Sequence, residues 1–260
     1  MSDAWIRALV AVPFGLVVGS FLTVVADRVP KKESIVSPRS RCPHCGAEIR
    51  SRDNIPVMSW LILRGRCRSC KARVSVRYPL LEAGTAASFA GVAIVYPPIY
   101  LIFMLCAFCA VMLVVGAIDL ELKIIPNKIT YPAFPAFAVA IVVGWAIGQD
   151  LDPERAAIGA LLYGGAFLLI AIIAPRGLGM GDVKLTGLIG LVMGSLGLRY
   201  VGVAAGAAIL LGGLGGLVAL LAGRGRKSAI PFGPFLTAGA LVAVFWGERI
   251  ADWYLRSFPR

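Results

Sequence analysis

The sequence predicts an all-α polytopic membrane protein of about eight transmembrane helices, with a small cytoplasmic zinc-knuckle loop domain. Hydrophobic residues make up 58% of the 260 positions and charged residues only 15%, a composition typical of proteins that lie in a bilayer. Several charge-free runs reach the roughly 20 residues that a membrane-spanning helix needs. Two Cys-x-x-Cys pairs lie in the long polar stretch that follows the first run.

The charge-free runs define the predicted helices. They lie at 8–26, 83–118, 129–149, 156–175, 200–223 and 228–247. The second run is too long for one crossing, and Pro97-Pro98 within it predicts a turn between two spans because proline has no backbone N–H. A shorter run at 185–198 fits a span, a re-entrant helix or a buried helix, and including it gives eight segments. We expect the first run to be retained in the protein, since the basic cluster follows it rather than precedes it.

The distribution of positive charge predicts the orientation. We divide the chain into a first transmembrane helix (1–26), a cytoplasmic four-cysteine zinc-binding loop domain (27–79) and a second transmembrane domain (80–260). Residues 27–79 contain 13 lysines and arginines, and the loops on the same predicted side contain 20 of the 26 in the chain. Because positive loops stay inside the cell, this side is cytoplasmic, in the inner (plasma) membrane. The net charge of +12 then favours contact with anionic membrane lipids and no nucleic-acid partner.

The loop domain contains Cys42 and Cys45, followed by Cys67 and Cys70. Two such pairs hold four thiolates in the tetrahedral arrangement that Zn²⁺ prefers. The alternative is a pair of disulfides, but a cytoplasmic loop is in a reducing compartment. We expect a structural metal, because a site of four cysteines has no open coordination position and a polar loop has too little apolar surface to fold alone. His44 is then a loop residue rather than a ligand.

The other cysteines and the single histidine exclude several enzyme classes. Cys106 and Cys109 lie inside an apolar run and are interpreted as packing residues. Because His44 is the one histidine of the chain, a Ser-His-Asp or Cys-His catalytic group is excluded. The sequence has no Walker-type phosphate loop.

Two aspartates at the ends of apolar runs are the candidate catalytic residues. Asp119 ends Gly116-Ala117-Ile118-Asp119, and Asp182 lies in Gly179-Met180-Gly181-Asp182. Carboxylates at membrane depth are costly and usually functional. Two runs separate them, so both lie at the same cytoplasmic boundary. If the helix ends converge, the two carboxylates share a proton and can perform aspartyl-protease chemistry. The alternatives are a first-turn carboxylate at a helix dipole for Asp182 and an interfacial charge for Asp119.

Other polar residues near these runs have structural interpretations. Glu82 could cap the second span, and Pro126 with Asn127 could end the third helix. Lys184 could neutralise Asp182 or contact lipid headgroups. The glycine-rich run 202–216 favours close helix packing in lipid, with the lining of a substrate groove as the alternative.

Short motifs follow one another along nearly the whole chain. They are Gly19-Ser20-Phe21-Leu22, Asp53-Asn54-Ile55-Pro56, Arg77-Tyr78-Pro79-Leu80-Leu81-Glu82, Asp119 with Ile125-Pro126-Asn127, Gly179-Met180-Gly181-Asp182-Val183-Lys184-Leu185, and Pro231-Phe232-Gly233-Pro234-Phe235. In these motifs and in the two cysteine pairs, the chain resembles the type IV prepilin peptidases, or leader peptidase/N-methyltransferases. These are polytopic aspartyl proteases with a GxGD motif.

The resemblance implies that Asp119 and Asp182 are the catalytic pair and that 80–260 is the aspartyl protease domain. The expected substrates are type IV prepilin or pseudopilin precursors, which serve pili or type II secretion. Their short basic leader is cut at the cytoplasmic surface after a glycine, usually before phenylalanine, while the hydrophobic helix of the precursor stays in the bilayer.

The resemblance also implies methylation of the new amino terminus with S-adenosylmethionine, an activity associated with the cysteine-containing loop. Gly65-Arg66 occupies the position of a glycine-basic pair linked to methyl transfer, although a lysine is often seen in place of Arg66. Thr23 replaces an asparagine common in the first segment. The sequence assigns no residue to binding this cofactor. Two other classes stay open: a noncatalytic zinc-knuckle scaffold or transporter component, and a thiol-redox membrane protein.

Overall fold

The computed structural model describes residues 3–174, 178–222 and 231–257. Within these ranges the chain forms helices and two isolated β-bridges, which confirms the all-α class. The helices are α1 (Asp3–Arg28), α2 (Met58–Ile62), α3 (Arg77–Val95), α4 (Ile99–Leu122), α5 (Asn127–Ala146), α6 (Pro153–Ile173), α7 (Met180–Leu196), α8 (Leu198–Leu221) and α9 (Gly233–Ser257), with one turn of 3₁₀ helix at Ser51–Asp53. The basic loop 224–227 and the start of the predicted run 228–247 lie outside the described residues.

Six helices of the described ranges are long and apolar enough to cross a membrane: α1, α3, α4, α5, α6 and α8. Each of the eight predicted segments corresponds to one helix in chain order, but the count of eight spans is not confirmed. The helix α7 has only 17 residues, and α9 carries charged side chains in its second half, among them Glu248 and Asp252. The predicted turn is present, since α3 ends at Val95 and α4 begins at Ile99.

The chain divides into two compact units, Met1–Pro97 and Pro98–Arg260. In the first unit α1 packs against α3 through Gly15 and Gly19. A Cβ atom built on Gly19 would lie 2.7 Å from the Cα of Glu82, so only glycine permits this backbone approach. This is the small-residue packing common between helices in membranes.

In the second unit the short helix α7 lies inside the protein. Leu185, Leu188 and Ile189 are fully buried, and glycines let α6 approach closely, since a Cβ on Gly164 would lie 2.9 Å from the Cα of Gly187. The short predicted segment is therefore a helix whose surface faces neighbouring helices. Its first turn carries Asp182.

Candidate active site and metal centre

Asp119 lies in the last turn of α4, and its side chain is buried. The helix ends because Lys123 adopts the left-handed conformation (φ 56°) and its N–H donates to the carbonyl of Asp119 at 2.9 Å. The carboxylate of Asp119 accepts the backbone N–H of Gly233, the first residue of α9. Asp119 is thus held at the N-terminus of another helix, where free N–H groups and the helix dipole favour a negative charge.

Asp182 lies in the first turn of α7, three residues after the N-cap residue Gly179. Its carboxylate accepts the backbone N–H of Gly179, and its own N–H donates to the carbonyl of Gly179 at 3.0 Å. This is the half of a capping box in which the third helical residue satisfies the free N–H of the N-cap. The sequence alternative for Asp182, a carboxylate at a helix dipole, therefore describes its local structure correctly.

The structure brings the two predicted residues together, since the charge of Asp119 acts electrostatically on Asp182. The loop after α4 also contacts the glycine motif, because a Cβ on Gly181 would lie 3.0 Å from the Cβ of Ile125. Two carboxylates within interaction range cannot both ionise easily. A site of this kind can supply an ionised base and a protonated acid for one reaction.

Lys184 connects α7 with the start of α5. Its Nζ donates to Oδ1 of Asn127 at 3.0 Å and lies 4.6 Å from the ring centroid of Tyr131. Asn127 begins α5, with Pro126 as its N-cap, so these two residues start a helix rather than only ending the preceding one. The Lys184 contacts fix the first turn of α7, which carries Asp182.

The four loop cysteines form two knuckles with the same backbone pattern. In the first knuckle, the N–H of Cys42 donates to the carbonyl of Ala47, and the N–H of Gly46 donates to the carbonyl of Cys42. In the second, the N–H of Cys67 donates to the carbonyl of Ala72, and the N–H of Lys71 donates to the carbonyl of Cys67. The residue after each second cysteine has a positive φ, 69° for Gly46 and 60° for Lys71. The same turn geometry around both cysteine pairs indicates that the two pairs have the same role.

The sulfur atoms of Cys42, Cys45, Cys67 and Cys70 lie within 4.8 Å of one another, and the cysteines are free thiols. The Sγ atoms of Cys42 and Cys70 are 3.8 Å apart, close to the separation of about 3.8 Å that a tetrahedral site with Zn–S bonds of about 2.3 Å requires. Backbone N–H groups of Cys70 and Ser69 lower the pKa of the Cys67 thiol to about 6, whereas the pKa of the neighbouring Cys70 thiol is raised to about 11, so Cys67 is the first of the two to form the thiolate that a metal binds. The residues present fit a tetrahedral metal ion.

A bidentate ion pair supports the second knuckle. Arg68, between Cys67 and Cys70, donates to both carboxylate oxygens of Asp53 in the 3₁₀ helix, with a shortest distance of 2.6 Å. The Arg68 guanidinium holds the pKa of the Asp53 carboxyl below its usual value. This pair connects the knuckle to the segment that leads into α2.

Glu82 of α3 is buried and does not cap its own helix. Its Oε2 accepts the N–H of Val57 at 2.7 Å, and the hydroxyl of Ser20 donates to the same carboxylate. Val57 has φ 60° and ψ −50°, and Met58 N–H donates to Pro56 across it, which is a γ-turn of the rare positive-φ form. A β-branched residue in this conformation is strained by about 1–3 kcal/mol, and such strain is typical of functional sites.

The sequence predicted both aspartates but not the main-chain hydrogen bonds that orient their carboxylates. It missed the N–H of Gly233, although Pro231-Phe232-Gly233-Pro234-Phe235 was among the motifs that carry the resemblance. It also missed the strained Val57, whose N–H donates to the carboxylate of Glu82. A main-chain donor leaves no signature in residue type, so only the motif itself could have pointed to Gly233.

Comparison with known families matches the chain in two parts. The model of the bacterial peptidase A24 N-terminal domain matches residues 13–96. The model of the type IV leader peptidase family matches residues 106–223, which include Asp119 and Asp182.

Characterised relatives match over most of their length. A prepilin leader peptidase/N-methyltransferase of Bacillus subtilis is 34% identical over 247 residues, covering 94% of this chain and 96% of the relative. A protein of the same name from Burkholderia pseudomallei is 34% identical over 91% of this chain and 84% of its own. A type 4 prepilin-like proteins leader peptide-processing enzyme of Escherichia coli is 34% identical over 89% of this chain and 91% of its own. No solved structure matches.

Proposed function

Because this chain belongs to the type IV leader peptidase family, we propose that it is a membrane aspartyl endopeptidase that removes the leader from type IV prepilins or pseudopilins. Asp119 and Asp182 are the proposed catalytic pair. The observation that carries the proposal is that two helix ends hold these carboxylates within electrostatic range of each other, each on the N–H of a glycine that starts a helix. The noncatalytic scaffold is the weaker alternative, since the relatives are named as processing enzymes.

The proposed mechanism uses the shared proton. The ionised member of the pair takes a proton from water as the water attacks the scissile carbonyl carbon, and the protonated member donates a hydrogen bond to the carbonyl oxygen. When the tetrahedral intermediate collapses, the carbon–nitrogen bond breaks and the amine leaves with a proton from the pair. The glycine N–H groups keep the carboxylates oriented without taking part in proton transfer.

The proposed location is the cytoplasmic face of the inner membrane. Its support is the placement of 20 of the 26 lysines and arginines in loops on the predicted aspartate side. A basic leader stays on this side for the same reason, so it meets the catalytic pair without leaving the cytoplasm. We propose cleavage after the glycine that precedes the hydrophobic helix of the precursor.

We propose that the four-cysteine cluster holds a structural Zn²⁺ and that 27–79 folds around it. The support is the close spacing of the four sulfurs, which all lie within 4.8 Å of one another, and the two matching knuckles. With four thiolates bound, the ion has no open position for water, so it supplies stability and not chemistry.

The names of the relatives support methyl transfer as a second activity of this chain. When bound, S-adenosylmethionine would supply a methyl group to the new terminal amine, which would leave S-adenosylhomocysteine and release one proton to water.

The test is cleavage of a purified prepilin by the enzyme in detergent. Asp119→Asn and Asp182→Asn should each abolish cleavage, because an amide can accept the glycine N–H but cannot be the ionised base or share the proton. The matched control is Asp150→Asn, at an exposed position beyond the end of α5, which should cleave at the wild-type rate. Cleavage by either active-site variant would reject the catalytic pair, and no cleavage by the parent enzyme would reject the peptidase.

A further inference from the structure

The short helix α2 has an exposed apolar face. Met58, Leu61 and Ile62 lie on one side of it, since positions i, i+3 and i+4 share a helix face. These three residues are 54%, 56% and 69% exposed. On the other side Ser59 is buried, and Nε1 of Trp60 donates to a carbonyl of the cysteine loop at 3.1 Å. Helix α2 is therefore amphipathic, with its polar contacts directed into the loop and its apolar face directed outward.

A hydrogen bond fixes the level of α2 against the membrane-spanning helix α3. The N–H of Val57, the residue before α2, donates to Oε2 of Glu82 at 2.7 Å. Helix α3 has 19 residues, which gives a length of about 28 Å, close to the roughly 30 Å thickness of the hydrocarbon core. Its first residue, Arg77, therefore lies at the edge of the core, and Glu82 lies about 7.5 Å further along the helix. A helix attached at Glu82 begins at the depth of the bilayer interface.

Exposed apolar side chains also lie at this level on the neighbouring segments. Leu80 in the first turn of α3 is 66% exposed, and it belongs to a helix that is long and apolar enough to cross a membrane. Ile55, just before α2, is also exposed, and its N–H donates to Oγ of Ser59 at 3.1 Å. At the end of a spanning helix, side chains of this kind meet lipid rather than water.

Arginines flank the apolar face at both ends. Arg52 precedes it and Arg64 follows it, and both are exposed. An arginine beside an apolar surface keeps its aliphatic stem on that surface and extends its guanidinium to the headgroups, where it can bind phosphate with two hydrogen bonds. These arginines favour lipid over another hydrophobic helix as the neighbour of the face, because such a helix offers them no phosphate.

We propose that residues 52–64 form an interfacial anchor that holds the cysteine loop on the membrane, with lipid as its occupant. Met58, Leu61 and Ile62 lie among the acyl chains, and the two flanking arginines bind lipid phosphates. The strained turn at Val57 sets the depth of the anchor by attaching it to Glu82. This role does not depend on either proposed activity.

The experiment labels the purified, zinc-loaded protein with an apolar diazirine dissolved in vesicles of phosphatidylethanolamine and phosphatidylglycerol. After illumination, trypsin cuts after Arg52 and Arg64 and releases peptide 53–64, which contains no part of a candidate spanning helix. We expect this peptide to carry label on Met58, Leu61 or Ile62, and the loop peptide 42–50 to stay at background. An unlabelled peptide 53–64, or label confined to the loop-facing Trp60, would overturn the proposal.

The double variant Leu61→Gln with Ile62→Gln removes apolar surface with little loss of packing, since both side chains are exposed. We expect label in peptide 53–64 to fall by roughly threefold or more, because two of the three apolar side chains of the face become polar. The matched control is Val36→Gln, at an apolar loop position that is 87% exposed and outside the anchor, and it should be labelled like the wild type. Wild-type labelling of the double variant with unchanged zinc content would contradict the anchor.

Two further measurements identify a different occupant of the face. If excess prepilin protects peptide 53–64 from the label, the face receives the hydrophobic helix of the precursor instead of lipid. If labelling rises when the protein is diluted with lipid at a fixed ratio of reagent to lipid, a second copy of the chain covers the face. Labelling that stays constant in both measurements is the result that a lipid-facing anchor requires.

Discussion

Gly233→Ala is the most direct test of how the proposed catalytic pair is held. A Cβ atom built on Gly233 would lie 2.9 Å from Cγ of Asp119 and would overlap its Oδ2. Helix α9 cannot easily move away from α4, because Gly239 of α9 packs against α8, where a Cβ would be 2.8 Å from the backbone nitrogen of Ala208. The added methyl group should therefore displace the carboxylate of Asp119 rather than the helix.

The size of the effect follows from the overlap. Ordinary contact begins near 3.4 Å, so Asp119 must shift by roughly 0.5–1 Å, and a misplacement of about 1 Å costs on the order of 10²-fold in rate. We expect kcat to fall by about 10- to 10²-fold, which corresponds to about 1.4–2.7 kcal/mol of transition-state stabilisation. The KM for prepilin should change less, since the leader and the hydrophobic helix of the substrate bind elsewhere.

The assay is initial-rate cleavage of a prepilin in detergent, with thermal unfolding measured on the same samples. Gly165→Ala is the matched control, because Gly165 lies in α6 with open space around it and alanine there should be neutral or stabilising by up to about 1 kcal/mol. Gly239→Ala is the opposite control. Its Cβ would lie 2.8 Å from the backbone nitrogen of Ala208, so it should lower the unfolding temperature.

The reasoning is refuted if Gly233→Ala folds and cleaves at the wild-type rate. It is also refuted if Gly233→Ala and Gly239→Ala lose activity only in proportion to lost stability, because the effect would then be a general packing defect. A normal unfolding temperature with a reduced kcat is the result that the geometry requires.

Three further predictions concern the same chain. Gly181→Ala should reduce kcat more than Gly179→Ala, because a Cβ at 181 would lie 3.0 Å from the Cβ of Ile125, whereas a Cβ at 179 would be no closer than 3.6 Å, to Oδ2 of Asp182. Equal rates in the two variants would contradict this. Removal of zinc with a chelator, or Cys67→Ser, should expose the arginine-rich loop 39–73 to trypsin, and an unchanged digestion pattern would reject a structural metal. The pH profile of kcat should have two limbs, since activity is lost at low pH when both carboxylates are protonated and at high pH when both are ionised; a flat profile with cleavage rate-limiting would exclude a shared proton.

The sequence predicted the membrane fold because apolar runs and charged loops are local properties. The runs, the turn at Pro97-Pro98 and the cysteine pairs each depend on neighbouring residues, and all correspond to elements of the structure. The number of spans was harder to predict, because the apolar side chains of α7 face other helices of the protein. Leu185 and Leu188 are buried against other helices, and hydropathy alone does not distinguish protein from lipid as the apolar neighbour.

The candidate site was predictable only in part for a similar reason. Asp119 and Asp182 are recognisable because a carboxylate at the end of an apolar helix is unusual. Their proximity depends on how α4, α5, α7 and α9 pack. This packing depends on glycines that permit close helix contact, and a glycine in the sequence does not show which helix it contacts. Lys184 illustrates the limit, since its partners are Asn127 and Tyr131 of α5 rather than the aspartate two residues before it.

Five of the described carboxylates fall into two groups that differ in what holds them. Asp27 and Asp53 pair with arginines, and the positive charge of the arginine balances the carboxylate and occupies its oxygens. Asp119, Asp182 and Glu82 lie on main-chain N–H groups instead, with no ion pair among the described residues. A main-chain donor orients a carboxylate but does not neutralise it, so the group remains available to exchange a proton or to accept a cation. Among these five carboxylates, the absence of an arginine thus separates the proposed catalytic pair and Glu82 from the two that pair with arginines and stabilise the fold.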